Sequence, residues 1–282
     1  MLTNRFDFVI LFDAKNCNPD GDPDNDNSPR VDTETMHGLV TPFCIKRKIR
    51  NYVLNRYADK KGYEIVVQSD RPLNDKYEDA YASIELTNAK KDKDAAAKAC
   101  KVMEEKYYDV RTFGQIMTTG SYSCGRVTGP VQINMAESID AVHPVSMTIT
   151  RQAKTTKERS DASDTEFGQF KYIPYGLYMA VGHVSPGEAV KSGMTDDDVN
   201  VLWEAIINMF EDDRSAARGD MAVRKLIVFK HDSPYGNCRF TELEDKVQVK
   251  RKPGVSVPRS FKDYDVTIDR NMPEGVELQI LL

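Results

Sequence analysis

Two groups of residues in this chain have the types and spacing to do chemistry: a run of carboxylates and a run of cations. The carboxylates lie in Asp20-Gly-Asp-Pro-Asp-Asn-Asp26, with Asp32 and Glu34 behind them. Several acids converging from a flexible segment suit a hard divalent cation. The spacing is not that of a calcium loop, because a loop started at Asp20 or Asp22 lacks Gly at its sixth position and Glu at its twelfth. A two-metal nuclease would need an accompanying His pair or a paired distant carboxylate, and the sequence offers neither. The acidic loop 20–34 is therefore read as a turn-rich surface, with a metal-dependent RNase as the alternative. His37, His143, His183 and His231 are far apart, adjoin no Ser or Cys in a nucleophile motif, and are read as structural or surface groups. Cys17, Cys44, Cys100, Cys124 and Cys238 form no CxxC or CxxH, and their odd number argues against a disulfide framework. Neither GxGxxG after a strand nor GxxxxGK[ST] occurs. The expectation is no catalytic residue, no metal and no cofactor.

The cations are more telling. In Gly38-Leu-Val-Thr-Pro-Phe-Cys-Ile-Lys-Arg-Lys-Ile-Arg-Asn-Tyr-Val53 four basic residues crowd one short segment, and no acid lies between Glu34 and Asp59. Thr41 is a natural N-cap and Pro42 suits the first helical position. Ile45, Ile49, Tyr52 and Val53 then recur as a buried stripe, which leaves Lys46, Arg47 and Arg50 together on the opposite face with Lys48 on the flank. Such a face suits a row of phosphates. A helix built only for solubility interleaves Glu with Lys four residues apart, and this one does not. A second cationic run, Arg151, Lys154, Lys157 and Arg159 against Glu158 alone, sits at the base of a polar excursion that ends near Lys171. A third is Arg214 and Arg218, read as neighbours one helical turn apart with Glu211 beside them. Arg126, in Gly125-Arg-Val-Thr-Gly-Pro-Val-Gln-Ile133, joins the candidates for phosphate contact. The RNP1 signature of base-stacking RNA sheets is absent, so any RNA is held mainly through its backbone.

These groups need a framework. The chain has 282 residues, 40% of them hydrophobic, and a formal net charge of -5, so a sizeable core is available and the positive charge is segregated within an acidic protein. The apolar run Phe8–Phe12 is bracketed by Asp7 and Asp13, too short for a signal core or a membrane span, and a soluble cytoplasmic protein is expected. Arg5 to Asp13 reads as a buried strand and Asn16 to Glu34 as a long irregular loop. The basic helix follows, then a short strand at Glu64-Ile-Val-Val67. Residues 70–107 read as mostly helical. Strands are expected at 125–133, 147–151, 172–181, 223–231, 246–252 and 276–282. Gln152 to Gln169 reads as a long exposed hairpin or arm. Thr195-Asp-Asp-Asp198 is a capping box opening a helix with Val199, Leu202, Trp203, Ile206 and Phe210 on one side. This order predicts an α+β fold: one RRM-like or ferredoxin-like domain over 1–282 with insertions.

Taken together the motifs resemble the backbone subunit of CRISPR Cascade, the Cas-seven family, in its type I-C form. The resemblance rests on Arg5-Phe-Asp-Phe-Val-Ile-Leu-Phe-Asp13, Asn18-Pro-Asp-Gly-Asp-Pro23, Gly38-Leu-Val-Thr41 with Lys46-Arg-Lys-Ile-Arg-Asn51, and Asp109-Val-Arg-Thr-Phe-Gly114. Gly129-Pro-Val-Gln132, Ile149-Thr-Arg151, Pro174-Tyr-Gly-Leu-Tyr178, Asn208-Met-Phe-Glu211 and Asp213-Arg-Ser-Ala-Ala-Arg-Gly219 complete it. The family loop commonly reads Gly-Asn-Pro-Asn-Gly-Asp-Pro, and Cys17 and Asp20 depart from it. The resemblance implies an RRM-like palm with a finger-like helical insertion at 59–110 and a thumb-like arm at 146–171. It implies several copies lining a CRISPR RNA as a helical filament, with an RNA-processing Cas-five-like subunit and a large subunit as partners. Target DNA is then met through the guide, in antiviral defence, with no membrane involved. Related type III subunits cleave target RNA with an aspartate after the first strand, whereas type I-C relatives are not regarded as nucleases.

Overall fold

The structure is a computed structural model that describes residues 2–84, 94–151 and 166–282. It opens with strand β1 (Phe6–Cys17), buried without interruption from Phe6 to Ala14. The acidic loop is more ordered than its composition predicts: β2 (Gly21–Asp22) and β3 (Ser28–Pro29) pair around a single 3-10 turn at Pro23–Asn25. An unexpected strand, β4 (His37–Val40), leads into α1 (Pro42–Tyr57). The strand expected at 64–67 is absent; α2 (Leu73–Ser83), α3 (Ala95–Lys106) and α4 (Tyr108–Phe113) follow. Residues 85–93 of the expected helical stretch lie outside the described residues. Next come the hairpin β5 (Gly114–Met117) and β6 (Gly125–Thr128), then β7 (Val131–Ile133) and β8 (Ala136–Ala141). β9 (Val145–Arg151) and the long β10 (Glu166–Val184) form the described part of the arm. Its remainder, 152–165, lies outside the described residues. Helices α5 (Pro186–Ser192) and α6 (Asp196–Asn208), strand β11 (Met221–His231), α7 (Phe240–Glu244), β12 (Val247–Arg251), β13 (Tyr264–Ile268) and β14 (Val276–Ile280) complete the chain.

One antiparallel sheet organises the fold, in the order β14-β11-β1-β10-β8-β4, with β7 also on β10. β1 lies inside it, Val9 opposite Val181 on one side and Ile227 on the other. Because successive side chains point to opposite faces, β1 serves two cores. Phe6, Phe8, Ile10 and Phe12 meet Ile45, Ile49 and Val53 of α1 and Leu202, Trp203 and Ile206 of α6. Val9 and Leu11 join Ile227 and Phe229 in a second core closed by Leu243, Val247 and Tyr264. Cover on both faces explains why β1 reads as a continuous apolar run and not as an alternation. A third cluster, built by Tyr77, Tyr81, Ala99, Met103, Met117 and Val127, holds α2 and α3 against β5 and β6.

The expected capping box at the start of α6 is present: Thr195 Oγ1 accepts from the Asp198 amide, and Asp198 accepts from the Thr195 amide. Asp198 also holds Arg111 of α4 in a two-pronged pair, Nε to Oδ2 at 3.0 Å and Nη2 to Oδ1 at 2.7 Å. Among the described residues no helix is long and apolar enough to cross a membrane.

Candidate nucleic-acid interface

The cationic helix forms as its sequence dictates. Thr41 is extended and its Oγ1 accepts from the Cys44 amide, Pro42 opens the first turn, and Ile45, Ile49, Tyr52 and Val53 are buried. The missing counter-charge, however, arrives from elsewhere in the fold. Lys48, expected on the flank, is 5% exposed and paired with the Asp213 carboxylate, which also accepts from Asn51 Nδ2 at 2.9 Å. Arg50, expected on the open face, donates through Nε to Asp109 Oδ2 at 2.7 Å. Asp109 is fully buried and accepts in addition from the amides of Val66 at 2.8 Å and Val67 at 3.2 Å. That use of both amides is why 64–67, though apolar, pairs with no strand. Lys48 and Arg50 are thus committed to holding α1 in place.

Lys46 and Arg47 remain without an ion pair among the described residues. The Lys46 ammonium lies 5.2 Å from the centroid of the Phe113 ring, and the Arg50 guanidinium 5.0 Å from the same ring. Burial, together with the neighbouring charge of Arg50, pushes the Lys46 amine down to about 8. Burial and Arg50 lower Arg47 as well, against a smaller opposing pull from Asp109. The group is short of one anion, and a phosphate placed there relieves the repulsion. Phe43, one turn before Lys46 and Arg47, is 81% exposed.

The other expected contacts divide. Arg126 is exposed on β6 and unpaired among the described residues, across the hairpin from Ile116. Lys171 donates to the Asp26 carboxylate at 2.7 Å and carbonyl at 2.9 Å, tying the arm to the acidic loop. Behind that tie a cleft of about 430 Å³ is lined by Asn18, Asp26, Gln169, Phe170 and Ala217. Arg214 and Arg218 do not share a helical face, since α6 ends at Asn208 and turns follow. Arg214 pairs with Glu211 at 2.9 Å on the surface, while the Arg218 Nε is buried with no hydrogen-bond partner. Arg151 closes the described part of β9, and Lys154, Lys157 and Arg159 lie outside the described residues.

Four carboxylates of the acidic loop, those of Asp20, Asp22, Asp26 and Asp32, are engaged within the fold. Asp20 accepts from the Thr41 amide at 2.8 Å and hydroxyl at 2.7 Å. Asp22 takes Arg30 at 3.0 Å, and Asp32 takes the amides of Glu34 and Thr35. Among the described residues no three His, Cys, Asp or Glu side chains are grouped to hold a metal ion. The histidines are less scattered than their numbering implies. His183 Nδ1 lies 2.6 Å and His231 Nε2 2.9 Å from the buried Asp7 carboxylate, and His231 Nδ1 accepts from the Asn237 amide at 2.9 Å. Asp109, Phe113 and Asp213 stand in the motifs that carry the resemblance, but their role against α1 is not legible there because each acts across 59 or more positions or through a ring contact.

With this geometry the class can be stated, and it is a mixed α and β protein whose antiparallel sheet carries a cationic helix. One chain of a CRISPR RNA-guided surveillance complex, pre-nicking, shares the fold at a TM-score of 0.50 and 14% identity, covering 80% of this chain and 78% of the other. A further CRISPR RNA-guided surveillance complex gives a TM-score of 0.45 at 13% identity over 88% and 78%. By sequence, a CRISPR-associated protein Cas7 of Haloferax volcanii is 23% identical over 94% of this chain and 81% of its own length. The family model for CRISPR-associated protein Cas7 matches residues 4–269, and the chain belongs to that family.

Proposed function

We propose that this chain is the non-catalytic backbone subunit of a type I-C Cascade-like surveillance complex, polymerising along the CRISPR RNA spacer and presenting it for pairing with target DNA. The observation that carries the reading is the pair Lys46 and Arg47, without an ion pair among the described residues while Lys48, Arg50 and Arg56 on the same helix are each matched to an aspartate. Specificity then belongs to the guide, and the protein reads shape and backbone. The strand order β11-β1-β10-β8, with α1 and α6 on one face, supports an RRM-like palm. Its other face is occupied by Leu243, Val247 and Tyr264, which supports binding at the helix and not by stacking on the sheet. In this reading 59–110 is the finger, 146–171 the thumb, and the partners are further copies, a Cas-five-like subunit and the large subunit, in the cytoplasm.

The test is binding of single-stranded RNA across a salt series. Each phosphate contact on a single strand contributes about 0.7 to the log–log slope, so Lys46→Ala with Arg47→Ala should shrink it by about 1.4. An unchanged slope refutes the assignment of the site. RNA incubated with magnesium or manganese should stay intact; cleavage that vanishes in Asp22→Asn or Asp32→Asn would establish the RNase on the acidic loop instead.

A further inference from the structure

Phe43 is 81% exposed on the first turn of a helix whose apolar stripe is otherwise buried, so no packing among the described residues accounts for it. At helical spacing it is three residues from Lys46 and four from Arg47, which places it on their face of α1. A ring beside two unpaired cations is the combination by which single-stranded nucleic acid is held: phosphates follow the charge and a base lies on the ring. Lys46 is also held in place, its ammonium lying over the Phe113 ring beside an Arg50 that Asp109 anchors, so one of the two phosphate partners is preset beside Phe43.

We propose that Phe43 is the stacking platform of this site, taking one unpaired base of the RNA whose phosphates Lys46 and Arg47 hold. The inference rests on the RNA-binding reading above and adds a contact that is apolar, independent of base identity and insensitive to salt. Every base presents a π-face, so the platform is compatible with any guide.

The experiment uses the full chain and an RNA short enough for a single copy. Phe43→Ala should weaken binding about tenfold at every salt concentration, leaving the slope parallel to that of the unaltered protein. Phe43→Trp should bind as the unaltered protein does. Its added indole should be quenched by RNA, with the unaltered protein, whose single Trp203 is 7% exposed, as the blank. Because the side chain is exposed, both variants should melt at the original temperature. Equal affinity of Phe43→Ala and the unaltered protein overturns the platform while leaving the RNA-binding reading intact. Failure of the unaltered protein to bind RNA overturns the reading itself. Unchanged affinity for the short RNA with loss of length-dependent assembly on longer RNA would make Phe43 a contact between copies, and would overturn the platform too.

Discussion

Arg50→Ala separates folding from binding on α1. The guanidinium donates to a fully buried Asp109 at 2.7 Å and lies over the Phe113 ring. Truncating one partner of a buried pair strands the other charge, at about 3–5 kcal/mol. Asp109 keeps its bonds from the Val66 and Val67 amides, which places the loss near the lower end, about 3 kcal/mol. With 282 residues and an unfolding entropy of about 2.1 cal/mol/K per residue, that corresponds to a fall of about 5 °C in Tm. Lys46→Ala removes a cation that has only like-charged neighbours and a ring, so its Tm should hold while its RNA affinity falls. Circular dichroism melting beside fluorescence anisotropy with labelled RNA reads both quantities on the same samples. Asp109→Asn combined with Arg50→Ala should cost less than the sum of the two, since the stranded charge is gone. An Arg50→Ala protein that melts like the original yet loses RNA would refute this division of labour and make Arg50 a phosphate contact.

Three further outcomes are expected. RNA affinity should fall as pH rises from 7 to 9, because Lys46 titrates at about 8 and only its charged form meets phosphate; Lys46→Arg should flatten the profile in the same anisotropy assay. On the acid side, burial of Asp7 and Asp198 favours their protonated forms, but the hydrogen bonds from His183 and His231 to Asp7, and from Arg111 to Asp198, outweigh it and leave both carboxyls below their usual range. Their stabilisation is therefore present above about pH 4 and lost as pH drops further, and Asp7→Asn should lower Tm at neutral pH while flattening the acid limb of a Tm profile. Finally, Gly129→Ala would set a Cβ 2.0 Å from the Phe113 carbonyl carbon and should lower both Tm and RNA affinity, whereas Gly187→Ala, with its nearest neighbour at 3.9 Å, should leave both unchanged.

What the sequence made legible was local. Thr41, Pro42 and the stripe from Ile45 to Val53 are contained in one helix, as is the box from Thr195 to Asp198, and both stand as read. β4 and β8 escaped because each is short and takes its place by pairing with the other across about a hundred residues, His37 opposite Ala141. The stretch 64–67 misled because Ile65 and Val66 are buried for packing while the amides of Val66 and Val67 serve a carboxylate. Site residues failed for the same reason. Lys48 and Arg50 look free beside their sequence neighbours and are neutralised by Asp213 and Asp109, which only the fold brings near. The acidic loop reads as a turn-rich surface, and the amide of Thr41 that helps to order it through Asp20 comes from 21 residues away.

β10 runs 19 residues from Glu166 to Val184, about 60 Å, and pairs with β9 over its first part and with β1 over the rest. The arm is therefore a cantilever rooted in the centre of the molecule, with no joint at its base. Ladder hydrogen bonds lie across the strand axis, so tension along the arm loads the rungs from Cys17 opposite Ile173 to Phe6 opposite Val184 in shear, all at once and not one after another. A pull along β10 meets the stiffest direction the sheet has, and a sideways push bends the β9–β10 ladder before it disturbs the central sheet.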